Sequence, residues 1–200
     1  MVTTGFIVEG DSESILIKDE SFINFLSSMN ISISKDLVIN AGGKYTLYHP
    51  GSDFTKLESR VNGWINILKS KGAQVIFFIL DFDNSDVCFT QFKSKTFHYA
   101  ENYVVIAKQA LEAWFLADHQ TLSIYLDKQL NIIPDPESNL IPFEQIKALR
   151  LLHTGRGVSD KKILTRHMIN AGFSIIGAAS HPNCPSASYF LKKLQSLNTP

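Results

Sequence analysis

The chain has 200 residues, 44% of them hydrophobic, enough to bury a substantial core in one domain with an appendage. Lys plus Arg balance Asp plus Glu at 19 each, which excludes a global positive field able to draw the protein onto DNA or an anionic membrane, so any nucleic-acid contact has to be local. The opening MVTTGFIVEGD lacks the basic and apolar regions of an export signal, no apolar run is long enough to span a bilayer, and Cys88 and Cys184 are isolated. A cytoplasmic protein without a disulfide framework is expected.

Gly5 to Val8 is short, β-branched and aromatic, as a buried strand requires, and it ends at Glu9-Gly10. From Asp11 to about Met29, Ile15, Leu16, Phe22, Ile23 and Leu26 recur at helical spacing and predict one helix packed on a sheet. Leu37 to Ile39 reads as a second strand, with the Gly-rich exit Asn40 to Lys44. Leu57, Val61, Trp64, Ile65 and Leu68 form one stripe of a second helix, Phe54 to Lys71, and a left-handed stop is expected at Gly72.

Gln74 to Leu80 is almost continuously apolar, so both its faces must be covered, as in the middle of a parallel sheet. It stops at Asp81-Phe82-Asp83. Tyr103 to Ile106 reads as a fourth strand, followed by a helix over Gln109 to Ala117. Strands alternating with helices imply right-handed crossovers and a doubly wound α/β sheet of about four strands over residues 1–130. Ile132 to Pro142 holds three prolines and reads as a linker or lid. Helices near Phe143–Leu152, Ser159–Ala171 and Ser186–Leu197 complete a small helical subdomain over residues 131–200.

Strand carboxyl ends share one edge of such a sheet, where ligands bind. Glu9 and the Asp81/Asp83 pair both stand at such exits and are candidates for one acidic cluster. Like charges held that close repel unless a cation neutralises them or a proton is taken up. Oxygen donors without histidine or thiolate favour a hard ion, Mg²⁺ first and Mn²⁺ second. The six histidines show no paired spacing, and no zinc site is expected.

Three strings carry a family resemblance. Phe6-Ile7-Val8-Glu9-Gly10-Asp11-Ser12-Glu13 resembles the first motif of Toprim domains, a strand ending in V-E-G with another acid four residues on, and Ile79-Leu80-Asp81-Phe82-Asp83 resembles the second, D-x-D. Ala110 to Asp118, ALEAWFLAD, is similar to the E-[SA]-W-x-L-A-D string of a compact bacterial Toprim-related family. Toprim domains occur in topoisomerases, primases, recombination proteins and the overcoming-lysogenization-defect (OLD) nucleases. The resemblance implies a Toprim/Rossmann-like parallel sheet with helices on both faces and a Mg²⁺-dependent nuclease or nickase acting on nucleic acid, chiefly DNA. It also implies a role in bacterial defence or DNA repair beside an ATPase partner, with no membrane association.

By the same resemblance Glu9 is the metal-linked general acid or base, Asp81 and Asp83 are metal ligands, and Glu13 is a further ligand. Glu112 completes a second metal position, and two ions about 4 Å apart would stabilise the attacking and leaving oxygens of an in-line displacement at phosphorus. Phosphate oxygens also need cations and hydrogen-bond donors: Lys161 and Lys162 are the catalytic candidates, and Arg156, Lys44 and the backbone at Gly10 the phosphate-binding ones. Structural readings stand beside these: Glu13 as the N3 acid of a helix capped at Gly10, Glu112 on a solvated face, Lys44 in an ordinary turn, Trp114 and Phe115 in the core, and Asp118 as the N-cap of the next helix. Two other functions fit the same residues: a haloacid-dehalogenase-like phosphatase with Asp81 as nucleophile, from D-x-D-x-[TV], and a non-catalytic module that keeps the fold.

Overall fold

A computed structural model of the chain describes residues 1–47, 54–82, 103–138 and 141–198. Strand β1 (Val2–Val8), buried from Thr4 onward, organises the sheet. On one side it pairs in parallel with β2 (Ile31–Ser32), Val2 opposite Ile31, and with β3 (Val38–Asn40), Phe6 opposite Val38. On the other side it pairs in parallel with β4 (Val75–Phe82), Phe6 opposite Phe77 and Val8 opposite Ile79. Strand β5 (Tyr103–Lys108) follows β4 and completes a five-stranded sheet. The chain leaves β1 towards one side, then returns past it to the other, so the carboxyl end of β1 lies at a topological switch point, where α/β sheets open a ligand crevice.

Helices cover both faces, as the apolar strands require. They are α1 (Asp11–Ile17), α2 (Glu20–Ser28), α3 (Lys44–Leu47) and α4 (Phe54–Ser70). Successive residues of a strand face opposite ways. The Phe6 ring meets Phe22 of α2 edge-on, with centroids 6.3 Å apart, and stacks on Phe77 at 5.3 Å. Its neighbour Gly5 faces α4, where an added Cβ would come within 3.1 Å of Leu68 Cδ1. Glycine at position 5 therefore sets how closely α4 approaches the sheet.

Three local departures from the sequence reading have physical causes. The single helix expected over 11–29 is broken at Asp19, whose Oδ1 accepts the Ser21 N–H at 2.8 Å and starts α2 afresh as an N-cap. The strand expected at 37–39 moves one residue on, because Lys35–Leu37 form a 3₁₀ turn. Strand β4 runs through Asp81 to Phe82 rather than stopping at Leu80. Gly72 takes the left-handed stop with φ +94°.

The chain divides into two compact units: residues 1–80, 84–106 and 194–200 in one, and residues 81–83 and 107–193 in the other. The border expected near residue 130 falls inside the second unit. That unit contains α5 (Leu111–Ala117), α6 (His119–Tyr125), α7 (Pro142–Thr154), α8 (Lys161–Asn170), α9 (Ile175–Ala179) and all but the last two residues of α10 (Pro185–Gln195). Every residue of α5 is buried, which marks it as the unit's central helix. Trp114 stacks on Phe190 of α10 with centroids 5.6 Å apart, and Phe115 meets Phe173 edge-on at 4.8 Å, so both aromatic residues serve the core.

Residues 132–138 are a pinned strap rather than a loose lid. The Asn183 amide donates to Pro134 O at 2.7 Å. His181 accepts the Asn183 N–H on Nδ1, which leaves Nε2–H to donate to Ile133 O at 2.9 Å. Among the described residues no helix is long and apolar enough to cross a membrane.

Candidate functional site

The exit of β1 is held by backbone on both sides. Glu9 N–H donates to Ile79 O at 3.0 Å, and Glu9 O accepts the Gly43 N–H at 2.8 Å. The loop after β3 closes over this exit: Ala41 N–H donates to Val8 O, and the Asn40 amide donates to Asp11 Oδ1 at 2.7 Å while its Oδ1 accepts the Gly42 N–H. Gly42 and Gly43 have φ of +80° and +117°, conformations that glycine adopts without a Cβ penalty. Lys44 opens α3 directly after them.

Glu13 is only 5% exposed, and its Oε2 accepts the Gly10 N–H at 3.0 Å. This is the reciprocal arm of a capping box, satisfying a donor at the start of α1. A Cβ at Gly10 would lie 3.3 Å from that oxygen, which favours glycine there.

In the second unit, Asp81 Oδ1 accepts the Leu111 N–H at 2.9 Å, and Gln109 N–H donates to Phe82 O at 2.9 Å. Gln109 reaches this position with φ +70°, a left-handed turn that delays the helix to Leu111, two residues later than its sequence suggests. The next residue, Glu112, is 1% exposed rather than on a solvated face, and its Oε2 lies 3.0 Å from the Nζ of Lys161. Lys161 opens α8, whose N-cap Asp160 accepts the Ile163 N–H at 2.9 Å; that bond is the main reason the Asp160 carboxyl is held below the usual aspartate range. Arg156 and Lys162 are exposed, with Arg156 N–H donating to Thr154 Oγ1.

The start of α5 thus gathers Asp81, Glu112 and Lys161, whereas Arg156 and Lys162 stay at the surface. Asp83 lies outside the described residues. Among the described residues no group of three His, Cys, Asp or Glu side chains is arranged to hold a metal ion.

Two buried acids organise the second unit. Asp118 is the expected N-cap of α6, with Oδ1 accepting the Thr121 N–H at 3.3 Å, and its Oδ2 also accepts Thr121 Oγ–H and the Ser174 N–H. Glu137 is the second, and the sequence reading assigns it no role. It is 1% exposed, and its Oε1 accepts from Ser186 N at 2.9 Å, from Ser186 Oγ at 2.5 Å and from Cys184 Sγ at 3.3 Å, while Ser186 Oγ in turn accepts the Trp114 indole N–H at 2.7 Å. Its sequence signal was slight, an acid between Pro136 and Ser138 in a stretch that resembles any polar loop.

Fold and site define a mixed α/β protein with a parallel sheet whose switch-point exit bears an acid. No family model and no curated protein matches the chain. Among solved structures, it is similar to the C-terminal region of the Burkholderia pseudomallei OLD protein over 100% of both chains, at 15% identity and a TM-score of 0.45.

Proposed function

We propose that the chain is a Mg²⁺-dependent hydrolase of phosphodiester bonds in nucleic acid, with Glu9, Asp81 and Asp83 as the carboxylates that hold the ion. One observation carries the reading: β1 and β4 are neighbouring parallel strands, Val8 opposite Ile79, with Glu9 directly after β1 and Asp81 in the last two residues of β4. Ligands bind at this edge in sheets of this class, which supports the reading of the strings that resemble Toprim motifs.

The donor chemistry fits a hard cation. The three side chains offer only carboxylate oxygens, which suit Mg²⁺ or Mn²⁺ rather than zinc. When bound, such an ion polarises the phosphoryl group and stabilises the leaving oxygen. Glu9, in the switch-point crevice, would handle the proton of the attacking water. With no net positive charge on the chain, affinity for the polyanion has to come from local cations and the metal itself.

The test is nicking of supercoiled plasmid DNA by the purified chain with Mg²⁺ or Mn²⁺, compared with Asp81→Ala whose fold has been checked by circular dichroism. The variant should lose roughly a hundredfold or more of the activity. Equal nicking by the variant would refute the assignment. Phosphate-ester turnover that traps an aspartyl intermediate at Asp81, with no action on DNA, would establish a phosphatase instead.

A further inference from the structure

Glu112 sits one residue into a helix that is buried along its whole length, and no hydrogen bond reaches its Oε2. A carboxylate buried in that position needs a cation against it to offset the loss of water. The Nζ of Lys161 does so at 3.0 Å, and the burial of the two partners is unequal: 1% exposure for the glutamate against 49% for the lysine. The glutamate therefore depends on the lysine far more than the lysine depends on it. Lys161 is in turn fixed by its place at the start of α8, which Asp160 caps.

The pair is neutral, and that decides what else it can attract. A second divalent ion is recruited by uncompensated negative charge, and here the charge of Glu112 is already met by an ammonium in contact with it. An incoming ion would have to displace that ammonium.

We propose that Lys161, carried by the start of α8, is a tethered cation standing where a second divalent ion would bind at Glu112, beside the start of α5, where Asp81 is anchored to the Leu111 N–H. This rests on the metal-dependent reading above and refines it. The chain holds one divalent ion fewer than a ligand set including Glu112 would hold, and a lysine supplies the missing positive charge.

Counting bound Mn²⁺ by electron paramagnetic resonance and calorimetry on the full chain tests this without reference to activity. Lys161→Met, which strands the buried carboxylate, should bind one more Mn²⁺ than the unaltered protein. Glu112→Gln, close in shape and neutral, should bind the same number. A count that falls by one in Glu112→Gln would make Glu112 a metal ligand and overturn the proposal, as would an unchanged count in folded Lys161→Met. If Lys161→Met does not fold, Glu112→Gln decides alone. The difference between variant and unaltered protein reads this inference; a count of zero in the unaltered protein would instead sink the metal-dependent reading itself.

Discussion

Oε1 of Glu137 accepts the backbone N–H of Ser186 at 2.9 Å, so that a carboxylate from the proline-rich strap caps a helix that begins almost fifty residues later. The same oxygen takes the Ser186 hydroxyl and the Cys184 thiol. Removing it strands buried donors, each at a cost of about 1–3 kcal/mol. Glu137→Ala should therefore lower the unfolding free energy by roughly 3 kcal/mol or more in urea denaturation. Glu137→Gln keeps an acceptor and should lose less. Equal stability of Glu137→Ala and the unaltered protein would mean that the strap is not held through this residue.

Burial, and then the charge of Glu137, push the Cys184 thiol above its usual range. In a Cys88→Ser background, Cys184 should resist alkylation at pH 8 while the protein is folded and react on denaturation. The raised value also fixes the sign of a pH effect. Below the ordinary thiol value of 9.0 both folded and unfolded states are protonated and nothing is lost. Above it the unfolded thiol ionises while the folded one stays neutral, so stability falls by about 1.4 kcal/mol per pH unit from this group. Cys184→Ala should remove that slope.

His167 moves the opposite way. Burial and the nearby Arg150 guanidinium hold its imidazole below the ordinary 6.5. A lowered value means that the folded state favours the neutral ring, so this contribution is fully present above pH 6.5 and is lost as the pH falls and the unfolded chain takes up the proton. An NMR titration of the ring protons should place the His167 midpoint below the ordinary 6.5; a midpoint at or above 6.5 would contradict the packing described.

Gly177 lies against Asp118. A Cβ there would come within 2.7 Å of the carboxylate carbon, a short buried group already committed to Thr121 and Ser174. Alanine normally gains up to about 1 kcal/mol over glycine inside a helix. Here Gly177→Ala should destabilise by about 1–3 kcal/mol in thermal or chemical unfolding, because the clash displaces the cap. A stabilised variant would show that Asp118 can yield.

Much of the sheet and one part of the site are legible in the residues. Apolar runs such as Ile76 to Leu80 need cover on both faces, so the strands read directly, although β4 runs two residues past the apolar stretch to Phe82. Asp118 reads as an N-cap because capping is local. What stays hidden depends on distance or on a single dihedral. A two-residue strand such as Ile31–Ser32 has no period to detect. Asp19 breaks a helix whose apolar spacing continues across it. Glu112 looks like a solvated charge until Lys161, from a helix 49 residues on, is seen to stand against it. Glu137 is read as loop because its partners lie equally far along the chain. Asp83, the third acid of the proposed set, falls outside the described residues.

Calorimetric titration of Mn²⁺ into the unaltered protein, Glu9→Gln and Asp81→Asn bears most directly on the shared ion. The unaltered protein should bind, and each variant, folded by circular dichroism, should lose roughly a hundredfold or more in affinity, beyond the usual cost of disturbing a residue that merely supports a ligand. Unchanged binding in both variants would mean that these two acids do not hold the ion.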